Sequence, residues 1–364
     1  MSEHKIKVGI THGDINGIGY EIIIKALCDP RVVELFTPVV YGSARAASFY
    51  RKGIEGAENF SFNLVASPRE ANPKRANLIN CVDDNIRIEP GTSTPEAGAA
   101  SAAALNAAVA DLKAGLIDVL VTAPINKENV QSDAFRFTGH TEFLAAAAGG
   151  RQPLMMMISD TLKVGLLTIH IPVSEVAKGI TREGIVSHLQ ELRESLIRDF
   201  GVVEPRIAVL ALNPHAGDGG LLGPEENEII RPAVVEASDK GILAFGPFAA
   251  DGFFAARSYL KYDAMLAMYH DQGLAPFKAL SPDGVNFTAG LPFIRTSPAH
   301  GVGYDIAGKG IADESSMREA IYAAIDIFRN RCRRAEMTRR PLQRFERDRG
   351  ADVSVNDLPQ TSDN

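Results

Sequence analysis

Short runs of β-branched and aliphatic residues alternate along this chain with longer segments whose apolar positions recur every three or four residues. That alternation predicts an α/β protein built on a sheet with helices on its faces. Lys5–Thr11 reads as a first strand, followed by a Gly-rich turn and a helix over about Tyr20–Leu27. Further strands are expected at Pro38–Tyr41, Phe60–Ala66, Leu78–Val82, Ile86–Glu89 and Asp118–Thr122. Thr94-Pro95-Glu96 opens a mostly alanine helix reaching about Ala114, with proline at the first helical position and small side chains that imply a close neighbour. Leu154–Ser159 and Lys163–His170 flank Asp160-Thr161-Leu162, a hairpin, so the sheet is mixed rather than purely parallel.

Later segments keep the alternation. Thr181 is placed to cap a helix with a stripe at Ile185, Leu189, Leu192, Leu196 and Phe200. Arg206–Leu212, Ile242–Phe245 and Tyr262–Tyr269 read as strands, and Glu225–Ser238 and Ser316–Arg333 as helices. Beyond about Arg340 apolar residues thin out, which predicts a flexible tail over 341–364. The Arg-rich stretch Arg329–Arg340 reads as a solvated helix end.

Composition narrows the function classes. A chain of 364 residues, 45% hydrophobic and 23% charged, is globular and long enough for two domains with a cleft between them. A net charge of -7 argues against a nucleic-acid partner. No apolar run reaches the ~18 residues of a membrane helix, and the N-terminus leaves no room for a signal peptide. Three scattered cysteines, Cys28, Cys81 and Cys332, suit a reducing compartment. A cytoplasmic protein is expected.

Three histidines fall at equivalent places. His170, His215 and His270 each follow an apolar strand-like run and precede a loop: Ile171-Pro172, Ala216-Gly-Asp-Gly-Gly220 and Asp271-Gln-Gly273. In open α/β sheets the carboxyl ends of strands line the ligand crevice, and three imidazoles with one open position describe a catalytic metal site. Imidazole donors favour zinc or cobalt over magnesium. Asp271 is placed either to orient a histidine, to move a proton, or merely to be solvated. His12 either faces the crevice or belongs to the core; His188 sits at a helix-core edge.

Other segments add charge and glycine. Thr138-Gly-His140-Thr141-Glu142 precedes a helical run, an anion site or a simple cap. Lys278, Asn286 and Arg295 stand in otherwise apolar or turn-like surroundings, which suits either a phosphate or carboxylate ligand or a structural ion pair. Two Gly-rich stretches, Gly13–Glu21 and Ala299–Gly310, match neither a P-loop nor G-x-G-x-x-G.

Taken together, Gly13-Asp-Ile-Asn-Gly-Ile-Gly-Tyr-Glu21, Thr138–Glu142, His270-Asp-Gln-Gly273, Gly290-Leu-Pro-Phe-Ile-Arg-Thr-Ser297 and His300-Gly301…Ala307-Gly308 resemble the 4-hydroxythreonine-4-phosphate dehydrogenase family of vitamin B6 biosynthesis, over about residues 6–330. The resemblance implies an isocitrate/isopropylmalate dehydrogenase-like fold of two α/β/α domains around a cleft. On that basis 1–125 with 286–340 form a cofactor-side domain, and 126–285 a metal, substrate and dimerisation domain. It implies a homodimer with the metal site at its interface. It also implies His170, His215 and His270 as ligands, and His140, Thr141, Lys278, Asn286 and Arg295 as substrate contacts. Cofactor contacts would come from His300, Gly301, Asp305 and Ile306, since Asp305-Ile-Ala-Gly-Lys-Gly310 is similar to an adenosine-binding loop. The implied reaction oxidises 4-phosphooxy-L-threonine at C3 with NAD or NADP and decarboxylates the product. Asp305 would repel a 2′-phosphate and so favours NAD. Asp251 and Asp271 are the candidate proton acceptors.

Departures from the family pattern are Asn16 and Tyr20 in the first loop and Val302-Gly303 after His300-Gly301. The rival readings are a D-threonate or D-erythronate 4-phosphate dehydrogenase, a cis-dihydrodiol dehydrogenase, a three-histidine zinc hydrolase, and metal-dependent binding without catalysis.

Overall fold

The computed structural model describes residues 5–83, 85–131, 137, 139–150 and 153–340. The expected tail over 341–364 lies outside the described residues. Within them are twelve strands: β1 (Lys7–Thr11), β2 (Thr37–Gly42), β3 (Asn63–Leu64), β4 (Asn77–Asn80), β5 (Val119–Thr122), β6 (Leu154–Ile158), β7 (Lys163–Leu166), β8 (Arg206–Leu210), β9 (Leu243–Phe248), β10 (Ala264–Ala267), β11 (Val285–Ala289) and β12 (Arg295–Pro298). They form one sheet in the order β3-β4-β2-β1-β5-β12-β11-β6-β7-β10-β8-β9. The sheets expected of two α/β/α units are thus fused edge to edge.

The fusion has a particular form. β3, β4, β2, β1, β5 and β12 are mutually parallel, as are β7, β10, β8 and β9. Between these halves β12, β11, β6 and β7 pair antiparallel in succession. Three reversals leave the two parallel halves running in opposite senses. The Asp160 hairpin that the sequence predicts is the last of them, joining β6 to β7.

Both faces are covered, and the strands alternate accordingly. Val8, Ile10, Val40, Val119 and Val121 share one core with Ile22 and Ile23 of the Gly19–Cys28 helix and Ile321 of the Ser315–Thr338 helix. Their neighbours Val39, Tyr41 and Leu120 face Ala104, Leu105 and Ala108 of the Pro95–Lys113 helix. In the second half Ile207, Val209 and Leu266 pack on Leu189 and Leu192 of the Arg182–Arg198 helix. Val164, Leu166 and Met265 face Leu274 and Phe277 of the His270–Leu280 helix. A period of two read on both faces is what a doubly covered sheet requires.

The helix signals act through identifiable bonds. Thr94 Oγ1 accepts from Ala97 N and Thr181 Oγ1 from Gly184 N, as N-caps do. The alanine helix does have a close neighbour: a Cβ on Gly98 would fall 1.9 Å from the Asn129 carbonyl oxygen, and Ser101 Oγ donates to Gly13 O at 2.6 Å. The helix expected over Glu225–Ser238 begins as a π-turn, Glu226–Ile230, before the regular Arg231–Asp239 helix. The strand expected at Ile86–Glu89 does not form. The Glu89 N–H donates instead to Asn16 Oδ1 at 2.8 Å, and Asn16 Nδ2 donates to Thr92 O at 2.9 Å, so this segment's bonds go to a side chain. No helix among the described residues is long and apolar enough to cross a membrane.

His12 resolves as a core residue. It is fully buried and stacks on Tyr20 at 5.1 Å, which stacks on Tyr50 at 5.9 Å. Burial pushes its pKa down to about 4. At pH 7 the ring is neutral in both folded and unfolded chains. Below about 6.5 the unfolded chain takes a proton that the folded one refuses, so stability falls as pH falls. Between pH 7 and about 4.5 this group should remove about 2–3 kcal/mol. Urea melts at both pH values test it, because His12→Phe keeps the stack and should lose that share of the acid sensitivity; an unchanged slope in the variant would assign it to other groups.

Candidate active site

A cavity of about 260 Å³ lies against the face of the central strands. Its floor alternates along each strand: Met155 and Met157 of β6, Asn286 of β11, Arg295 and Ser297 of β12, with Thr122 at the end of β5. One wall is the His270–Leu280 helix, through His270, Leu274 and Lys278; the opposite wall is the segment after β12, through Ala299, His300 and Gly301. His140, at the start of the His140–Ala147 helix, and Lys127 close the remaining side. Larger hollows of about 450, 610 and 360 Å³ contain none of the expected site residues.

The electrostatics are one-sided. Lys127, Lys278 and Arg295 line this cavity, and among the described residues no carboxylate does. Arg295 is only 3% exposed, yet its bonds go to neutral hydroxyls: Nε and Nη2 donate to Thr122 Oγ1 at 3.0 and 2.7 Å, and Nη1 to Thr288 Oγ1 at 3.2 Å. Burial lowers its pKa to about 10, with Glu142 opposing. A buried guanidinium without a paired carboxylate is costly unless an anion arrives from outside the fold. Burial, Arg295 and Lys127 together hold His140 well below the usual histidine range, so its ring is neutral at pH 7. His140 Nε2, His300 Nε2 and Asn286 Oδ1 are buried without partners, and all three belong to residues of the cavity wall.

The three strand-end histidines follow neighbouring parallel strands. His170 comes after β7, His270 after β10 and His215 after β8, with β10 lying between the other two. The strands end a few residues earlier than the apolar runs suggest; His170 and His215 sit in the connections beyond, and His270 opens the next helix. The His170 and His270 rings are 6.0 Å apart between centroids. His270 Nδ1 lies 2.7 Å from Asp271 Oδ1, which fixes the tautomer and leaves Nε2 free for a ligand. Among the described residues, however, no three His, Cys, Asp or Glu side chains of one chain gather closely enough to hold a metal ion.

His215 is held in an unusual backbone. His215, Ala216, Gly217, Asp218 and Gly219 all have positive φ, making a left-handed turn. Each non-glycine residue there costs roughly 1–2 kcal/mol. Buried Glu226 offsets the strain: its oxygens accept from Asn213 N at 2.7 Å and Asn213 Nδ2 at 3.0 Å. Glycine is required at 217, because a Cβ would come within 2.6 Å of Glu226 Oε2.

The remaining expected residues are dispersed. Thr141 is half-buried in the first turn beside His140, and Thr138 lies outside the described residues. Asp305 is exposed and Ile306 half-buried on the turn that follows Gly303. That turn is braced to the first Gly-rich loop, with Tyr304 donating to Asp14 Oδ2 at 2.7 Å and Ile18 N to Val302 O at 3.0 Å. Asp251 is exposed in the Ala250–Ala255 helix and is not on the cavity wall. Lys127 and Thr122 were not expected. Thr122 could have been suspected as a polar residue closing a buried strand; nothing local marks Lys127.

Comparison with known proteins adds to this geometry. Residues 34–324 match the family described as pyridoxal phosphate biosynthetic protein PdxA. A 4-hydroxythreonine-4-phosphate dehydrogenase of Bacteroides thetaiotaomicron is 53% identical over 346 residues, covering 94% of each chain. The crystal structure of 4-hydroxythreonine-4-phosphate dehydrogenase from Klebsiella pneumoniae superposes with a TM-score of 0.78 at 34% identity, covering 90% of this chain and 99% of that one. A relative from Oceanobacillus iheyensis, 39% identical over 90% of this chain and 99% of its own, is provisionally named a D-threonate 4-phosphate dehydrogenase.

Proposed function

Because the chain belongs to the PdxA family of pyridoxal phosphate biosynthetic proteins and is a dehydrogenase of the 4-hydroxythreonine-4-phosphate kind, we propose that it oxidises 4-phosphooxy-L-threonine at C3 and decarboxylates the product with the help of a divalent metal. The observation that carries this reading is the buried, carboxylate-free Arg295 in a cavity shared with Lys278 and His270. A nicotinamide dinucleotide would supply the hydride acceptor for C3 as the hydroxyl proton leaves, and the resulting β-keto acid would lose carbon dioxide and take up a proton to give 3-amino-2-oxopropyl phosphate.

The chain's own residues divide the work. Arg295 and Lys278 neutralise anionic groups of the substrate. Neutral His140 and the Asn286 oxygen offer hydrogen bonds that nothing in the fold uses. His300 and Gly301, with Asp305 and Ile306 beyond them, hold the dinucleotide; exposed Asp305 favours NAD over NADP. His170 and His270, with Asp271 orienting the latter, are suited to a zinc or cobalt ion. A bound ion there supplies Lewis acidity at the C3 oxygen, first for hydride loss and then for loss of carbon dioxide. With no third ligand beside them among the described residues of one chain, we propose His215 of a partner subunit for the third position of a homodimer's shared site. The segments 1–125 and 286–340 then form the cofactor side, and 126–285 the metal and substrate side.

The test is NADH formation with 4-phosphooxy-L-threonine and D-erythronate 4-phosphate in parallel, with zinc or cobalt present. Turnover of the amino acid, at least about a hundredfold better than the sugar acid, is expected. Turnover of the sugar acid alone would keep site and cofactor but replace the substrate. Turnover of neither would remove the reading.

A further inference from the structure

Lys127 is the cavity residue that no role above absorbs. It lies on the turn after β5, and that turn is braced on the buried side. Asn126 Oδ1 accepts from Glu128 N at 2.8 Å, Asn126 Nδ2 donates to Tyr304 Oη at 3.1 Å, and Asn129 Nδ2 donates to Asp14 Oδ2 at 2.8 Å. From this base the side chain reaches the cavity wall, and its ammonium donates to His170 Nε2 at 3.3 Å. It forms no ion pair among the described residues.

An ammonium group has hydrogens to give and no lone pair to offer. Its contact with His170 therefore requires Nε2 to be the unprotonated nitrogen, the tautomer in which Nε2 can ligate a metal. That nitrogen has a single lone pair in the ring plane, and the ammonium and a metal ion cannot both take it. The same ammonium stands in the cavity with Lys278 and Arg295, where its charge can serve an incoming anion.

We propose that Lys127 is a substrate-binding residue whose ammonium shares the His170 Nε2 lone pair with the metal by turns, so that filling the metal site directs Lys127 to an anionic group of the substrate. The inference rests on the metal reading above. It makes Lys127 a competitor of the metal and a partner of the substrate, and these two roles respond oppositely when the charge is removed.

The experiment is calorimetric titration of the full chain with zinc or cobalt, beside steady-state kinetics, for wild type, Lys127→Met, Lys127→Arg and His170→Ala. Lys127→Met should bind metal at least about fivefold more tightly, because a competing charge is gone, while KM for the phosphorylated substrate rises about tenfold or more and kcat changes less. Lys127→Arg keeps the charge and should stay near wild type in metal affinity. A purely structural role would not tighten metal binding. Equal or weaker metal binding in Lys127→Met, or an unchanged KM, overturns the inference even if His170→Ala abolishes uptake. No metal uptake by wild type removes the metal reading and this inference with it.

Discussion

Replacing Arg295 by methionine is expected to lower kcat/KM by about a thousandfold while leaving the fold as stable as before, or more so. The two effects come from one feature. Two charge-assisted bonds to a substrate anion are worth roughly 4 kcal/mol together, and methionine supplies neither. The folded chain, for its part, gains little from the cation. Burial holds its pKa at about 10, below the ordinary 12.5, so the fold disfavours the charged form that it must contain at neutral pH. That shift corresponds to about 3 kcal/mol against the folded state. It is partly returned by the hydroxyls of Thr122 and Thr288. Steady-state kinetics and urea melts of the same preparation measure both quantities. A loss under about tenfold in kcat/KM would move the anion site elsewhere, and a large loss of stability would make Arg295 structural.

The second large effect concerns the metal site proposed to be shared between subunits. His170→Ala and His215→Ala homodimers should each lose at least about a thousandfold in kcat. Mixed after unfolding and refolding together, they should recover activity. A heterodimer has one site lacking two histidines and one site complete, if each site takes His170 from one chain and His215 from the other. Random pairing makes half of the dimers mixed, so about a quarter of wild-type activity is expected. With all three histidines supplied by one chain, mixing would restore nothing. Recovery measured against the mixing ratio decides between the two arrangements.

The histidine positions were legible because a polar ring closing an apolar run is a local signal. The order of the strands that carry them is not local: β10 lies between β7 and β8, although β8 precedes it in the chain. Arg295 and Asn286 could be singled out as polar residues in apolar surroundings, whereas Lys127, in Pro-Ile-Asn-Lys, has no such contrast and gains its position only through the turn's bonds to Tyr304 and Asp14. At Ile86 and Ile88 the alternation imitates a strand, but Asn16 takes the bonds a neighbouring strand would have made. The Gly-rich run after His215 announces a loop and not its handedness, which depends on Glu226 beneath it.

The central reversal of the sheet has a bearing on how relatives of this protein can diverge. The cavity floor is made by β12, β11 and β6, each with a bonded neighbour on both sides. A slip of one residue in any of them would turn Arg295, Asn286 or Met157 to the far face. The direction in which the proposed anion-binding groups point is therefore fixed by the same bonds that hold the two halves together, so their positions cannot shift without disturbing that join, although single side chains can be exchanged. The loops at either end carry no such double duty. Divergence among such enzymes should then run through the loops more readily than through the positions of the floor residues.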